Sequence, residues 1–191
     1  MVVNRLMQRW QEPHRAYHTL THLSNCLAAL DVVKDNLTED EIDRISIALY
    51  WHDAVYNPPN QNLEIKSAGV LREDLWDILP PERIGWIQWL IIITAHQTQT
   101  PPLTMEEKAI CDVDLHELAL PWDQFSENSR RIRKEYSCYS DIDFAKGRSD
   151  WAKQMLTKPI FHSTRFSEDV ARRNLERHIE ELDKMVKHAS L

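Results

Sequence analysis

Apolar residues recur three and four positions apart along most of the chain, as in Leu20, Leu23, Leu27 and Leu30, or in Ile42, Ile45 and Leu49. At that period side chains stack on one face of an α-helix. Proline pairs interrupt the pattern at Pro58-Pro59, Pro80-Pro81 and Pro101-Pro102, and the residue before a proline is pushed out of the helical region. Thr38 with Glu41 and Thr104 with Glu107 match the capping box, in which a hydroxyl and a carboxylate satisfy amides that the first helical turn leaves orphaned. These signals predict helices over 2–11, 18–34, 39–52, 63–79, 82–97, 105–119, 122–145, 148–157 and 167–189. The run from Trp89 to Ile93 has the composition of a buried strand. It also continues the period set by Ile84 and Ile87 and has no flanking strand partner, so it is predicted as the central, most buried helix. The expected fold class is all-α.

Composition narrows this further. A chain of 191 residues suits one domain, expected over 1–191 as a core of about 15–120 with a helical extension of about 121–191. Hydrophobic residues make up 42% and charged residues 28%, which excludes a disordered chain, and only 3 glycines disfavour a turn-rich β-sandwich. Lys and Arg total 23 against 30 Asp and Glu, a net charge of −7 that opposes bulk attraction to nucleic-acid backbones. The 3 cysteines are widely spaced with no CxxC, so neither a disulfide framework nor a thiolate zinc site is expected and a reducing cytoplasm fits. The segment MVVNRLMQRWQEP lacks the apolar centre of a signal peptide, and no stretch approaches the length of a membrane span. The 9 histidines are many for this length, and histidine is both the commonest metal ligand and the usual proton carrier near neutral pH.

The histidines fall in a suggestive order. His18 and His22 lie four apart, on one face of a predicted helix. His52-Asp53 ends the pattern IDRISIALYWHD; neighbours on a helix project about 100° apart, so both reach one ion only near a helix end or from a crowded bundle. Asp112 and Asp114 put two carboxylates in an apolar stretch, where each needs a partner. His22, then His52-Asp53, then Asp114 together supply two nitrogens and two carboxylates, a set suited to a divalent cation. The HTLTH stretch has zincin spacing, but Thr19 stands where that motif requires a glutamate base.

This constellation resembles the HD-domain superfamily of metal-dependent phosphohydrolases. RAYHTLTHL, YWHDAVYNP, the Glu64 to Ala68 segment, ITAH, DVDL and the tail segments IRKEY, FAKGR and ARRNLERHIEEL are similar to one bacterial branch of it, over nearly the whole chain. The resemblance implies an HD-type helical bundle with additional C-terminal helices, and metal ligation by His22, His52, Asp53 and Asp114. Asp114 is preferred to Asp112 because its DxDL context looks like the family's final acidic motif. The implied activity is hydrolysis of a phosphate ester or phosphoanhydride, a nucleotide among the candidates, by metal-activated water, with Mn, Fe, Co, Ni, Zn or Mg as the ion. Asp53 would also orient the water. Where the branch has Asn-Glu before its Ser-Ala pair, this chain has Leu63-Glu64, which keeps the carboxylate and drops the amide. Related alternatives are a noncatalytic nucleotide-binding module and a di-iron oxygenase drawing on His18 and His96.

Further candidates surround this set. Glu64 is a candidate general acid or water-orienting group, or an ordinary first-turn carboxylate. His18 is a candidate substrate contact; His96 would contact phosphate, bind a second ion or bond the turn at Thr98 to Pro101. Lys66 and Arg15 are candidates for holding phosphate, or solvated charges. Arg130, Arg131, Arg133 and Lys134 are expected to be mostly solvated or internally paired, and Trp86 and Trp89 to pack the core.

Overall fold

The structure is a computed structural model describing residues 2–96 and 101–189. Its described residues are helical, without a strand: α1 (Val2–Trp10), α2 (Leu20–Val33), α3 (Glu39–Trp51), α4 (Leu63–Leu75), α5 (Pro81–Ile93), α6 (Met105–Leu115), α7 (Trp122–Glu135), α8 (Asp141–Leu156) and α9 (Glu168–His188), with 3-10 turns at Lys34–Asn36 and His116–Ala119. Among the described residues no helix is long and apolar enough to cross a membrane. Both predicted capping boxes form. Thr38 accepts from the Glu41 amide while the Glu41 carboxylate accepts from the Thr38 amide at 2.8 Å, and Thr104 and Glu107 do the same.

The helix from Pro81 buries Ile84, Ile87, Leu90, Ile91 and Ile93, as its apolar period requires. Each such side chain contributes about 1.5–3 kcal/mol by leaving water. It packs within a core built from α1 to α6. Helix α1 joins that core through Leu6 and Trp10, so the core begins well before residue 15. Trp89 packs against it and donates its indole N–H to Glu107 at 2.8 Å. Trp86 does not: it is 46% exposed, and the expectation that it packs the bundle is corrected. A second apolar cluster joins the end of α6, the following 3-10 turn and α7 to α9 around Leu118, Phe125, Met155, Phe161 and Leu175.

The predicted boundaries differ most at 122–157. Helix α7 stops at Glu135, and α8 runs from Asp141 straight through Gly147. Ser140 ends the break by accepting from the Asp143 amide at 3.1 Å, and Arg133 donates to the carbonyls of Tyr136 and Tyr139 at 2.8 and 3.0 Å. Helix α2 starts at Leu20 rather than 18, so His18 precedes the helix that carries His22. The predicted end of α5 at 97 lies outside the described residues.

Candidate functional site

Three helices deliver the predicted ligands from their ends. His22 is in the first turn of α2, His52 is the residue that closes α3 with Asp53 just beyond it, and Asp114 is in the last turn of α6. The end of α3 is what lets two adjacent residues face one point. The His22 and His52 Nε2 atoms are 3.4 Å apart. His52 Nε2 lies 3.0 Å from Asp53 Oδ2 and 3.3 Å from Asp114 Oδ1, while His22 Nε2 lies 3.3 Å from Asp114 Oδ1 and 3.9 Å from Asp53 Oδ2. Donor atoms about 2.0–2.2 Å from a common ion stand about 2.8–3.6 Å apart at octahedral to tetrahedral angles, so four of these five separations are those of a coordination shell. His52 Nδ1 donates to the Leu49 carbonyl at 2.8 Å, which aims Nε2 at the cluster.

Charge argues in the same direction. Burial disfavours a charged His52, but Asp53 and Asp114 outweigh it and hold the imidazole proton well above the ordinary histidine range. Burial likewise opposes the two carboxylates, yet His52 and His18 hold Asp53 low, and hydrogen bonds from His22, His52 and His96 hold Asp114 well below the usual range. The two buried carboxylates therefore retain their charge against the His52 proton, a place that a bound cation would take. Among the described residues, two ligand groups could hold an ion, His22 with His52 and Asp53, and His22 with Cys26 and Asp114. They share His22. Cys26 lies one turn after it, fully buried, its thiol held well above the ordinary range by burial and then by Asp114; no sequence motif pointed to it. His18 and His96 belong to neither group.

A cavity of ≈ 540 Å³ opens onto this cluster, lined by His22, Asp53 and Asp114 together with His18, His96 and Glu64. His96 Nε2 sits 2.7 Å from Asp114 Oδ2, and its backbone is left-handed at φ 54°, a conformation that costs a non-glycine residue about 1–2 kcal/mol. The proposed contact of His96 with the Thr98 to Pro101 turn falls largely outside the described residues. Glu64 lies in the first turn of α4, and its carboxyl is raised by burial and by the nearby Asp53 and Asp114 charges. His18 stacks on Tyr56 at 3.8 Å between ring centroids and bonds Glu135 through Nδ1 at 2.7 Å.

Lys66 is corrected. It is exposed and does not line the cavity, because two residues along a helix turn it about 200° from Glu64. Arg15 is buried, bonded to Glu12 and to the His18 and Ala54 carbonyls, with its charge over Trp10 and Tyr56; it braces the segment before α2. Asp112 points away from the cluster and accepts the His162 and Ser163 amides at 2.7 Å each. Arg130 and Arg131 pair with Glu127, as expected of solvated helix charges.

Two acids at the site went unremarked in the sequence. Glu135 Oε1 accepts the amides of Ala16, Tyr17 and His18 at 2.7–2.9 Å, and Glu117 accepts from Asn25 and Asn128 while lining the cavity. Both bridge segments far apart in the chain. Arg148, from α8, lines the cavity as well. Comparison of the chain with protein-family models, with curated proteins and with solved structures found no match.

Proposed function

We propose that this protein is a metal-dependent phosphohydrolase of HD type, acting on a small phosphate ester or phosphoanhydride. One observation carries the reading: two imidazole Nε2 atoms lie 3.4 Å apart and 3.0–3.9 Å from two carboxylates, and His22, Asp53 and Asp114 of this set line a single cavity. His22, His52, Asp53 and Asp114 would hold the cation. Bound there, a divalent ion supplies Lewis acidity, lowering the pKa of water and drawing charge from a phosphoryl oxygen.

The chain's own groups do the rest. Asp53, facing the cavity beside His22 and His52, orients the attacking water. Glu64, whose carboxyl burial raises, keeps its proton closer to neutral pH than an exposed glutamate and gives it to the leaving oxygen. Glu135 anchors His18 through Nδ1, so the ring is held at the cavity wall to contact substrate, and His96 holds Asp114. The net charge of −7 favours a small substrate over nucleic acid, and three free cysteines suit a reducing compartment such as the cytoplasm.

The test is a panel of phosphomonoesters, phosphodiesters and phosphoanhydrides offered to metal-stripped protein reconstituted ion by ion, beside Asp53→Ala. Hydrolysis restored by one or more ions and abolished, together with ion binding, in Asp53→Ala is the expected result. Hydrolysis indifferent to both would refute the reading.

A further inference from the structure

Among the described residues lining the cavity, Arg148 is the one Lys or Arg. Its guanidinium carbon lies 3.8 Å from the centroid of the Trp151 ring one turn along α8, which fixes the side chain against an apolar plate. Its Nε is buried without a hydrogen-bond partner. The other cationic side chains near the site are spoken for, as Arg15 is by Glu12 and two carbonyls.

The surroundings leave that charge uncompensated. The titratable groups that act on Arg148 are the phenols of Tyr136, Tyr56 and Tyr17. Burial raises each of those phenols above its ordinary range, so at neutral pH they offer no negative charge. His178, on α9, is the other group beside it; burial and then the Arg148 charge bring that imidazole down to about 4, so it too is neutral. Asp143 lines the cavity as well, but it is not among the groups that act on Arg148. Arg148 stands on α8 against Trp151 and beside His178 of α9, elements that carry none of the four residues of the ligand cluster. A guanidinium whose Nε is buried without a partner is costly to keep, and a planar fork of donors matches an oxyanion in bidentate geometry.

We propose that Arg148 receives a second anionic group of the substrate, so that the molecule taken by this cavity carries two separated oxyanions, the phosphate to be hydrolysed at the His/Asp cluster and a phosphate or carboxylate at Arg148. This rests on the phosphohydrolase reading for the first anion only. A cavity of ≈ 540 Å³ accepts a molecule of that size, and Tyr136, Phe144 and Trp151 line the wall along which its uncharged middle lies.

Calorimetric titration of inorganic phosphate into metal-stripped protein tests the Arg148 site separately from any hydrolysis. Wild type binds phosphate saturably; Arg148→Gln weakens binding at least about tenfold, and Arg148→Lys keeps part of it. Melting temperature and metal content stay at wild-type values in both variants, whereas a merely structural arginine would lower the first. Acetate that competes for the Arg148-dependent site assigns a carboxylate to the remote end; acetate that does not assigns a phosphate. If Arg148→Gln proves unstable, Arg148→Lys compared with wild type decides, since a receptor fork loses affinity even when its charge is kept. No saturable phosphate binding by wild type, or equal affinity in wild type and folded Arg148 variants, overturns the proposal. Failure of the ion to support hydrolysis would instead leave these titrations unchanged and count against the phosphohydrolase reading alone.

Discussion

Within one turn of α4, Glu64 and Lys66 have opposite fates. Glu64 lines the cavity with a raised carboxyl, whereas Lys66 is exposed and away from it. Glu64→Gln removes the transferable proton while keeping shape, so kcat should fall by about 10²–10⁴ with metal content unchanged; Lys66→Ala should alter neither kcat nor KM. Steady-state kinetics on the substrate found by the panel, with metal analysis of both variants, checks this, and a Glu64→Gln enzyme at full speed would remove Glu64 from the chemistry. Asp112 and Asp114 part at the same scale. The two carboxylates lie two positions apart on α6, one accepting the His162 and Ser163 amides and the other facing His22 and His52, so each has the partner that a buried carboxylate requires.

Among the elements, α9 carries a titrating group that bears on stability. His178 is 8% exposed, lies edge-on to Phe125 and has an unpartnered Nε2. Its folded-state pKa is down to about 4, against about 6.5 for an unperturbed histidine. As pH falls below about 6.5 the unfolded chain takes up a proton that the folded protein refuses until about pH 4, so the stability this neutral imidazole preserves is full above that range and lost through it. Between pH 7.5 and pH 5 wild type should lose about 2 kcal/mol more than His178→Leu, read from urea melts at the two pH values; equal losses would show that the imidazole is not kept neutral by the fold. The neighbouring break between α7 and α8 was legible in part. Ser140 is an N-cap serine whose hydroxyl accepts from the Asp143 amide, as the Thr38 hydroxyl does from Glu41, though without the reciprocal carboxylate bond. The Arg133 bonds that close the turn at Tyr136 and Tyr139 carry no such mark.

For the whole molecule, the proposed ion would tie α2, α3 and α6 at one point while two apolar clusters hold the helices independently of it. The metal-stripped protein should therefore remain folded. Adding the ion at a hundred times its Kd should stabilise the protein by about 2.7 kcal/mol, visible as a rise in Tm that Asp53→Ala lacks. Unfolding of the stripped protein would instead mark the ion as structural. The segment leading into α2 depends on the distant α7 in the same way: Glu135 collects three amides and His18 across more than a hundred residues, joining the wall of the cavity to the second half of the chain.

The amino-acid order by itself determined the helices, their caps and the order of His22, His52-Asp53 and Asp114 along them, because period, capping and helix ends are settled by residues no more than about four apart. Only the tertiary structure decided that these four side chains meet, that Asp112 and Lys66 stand outside, that Arg148 lines the cavity and that Glu135 holds His18 at its wall. Those contacts join residues far apart in the chain. They follow from how the apolar faces of whole helices pack, and no local pattern around Glu135 or Arg148 distinguishes them from the solvated charges beside them.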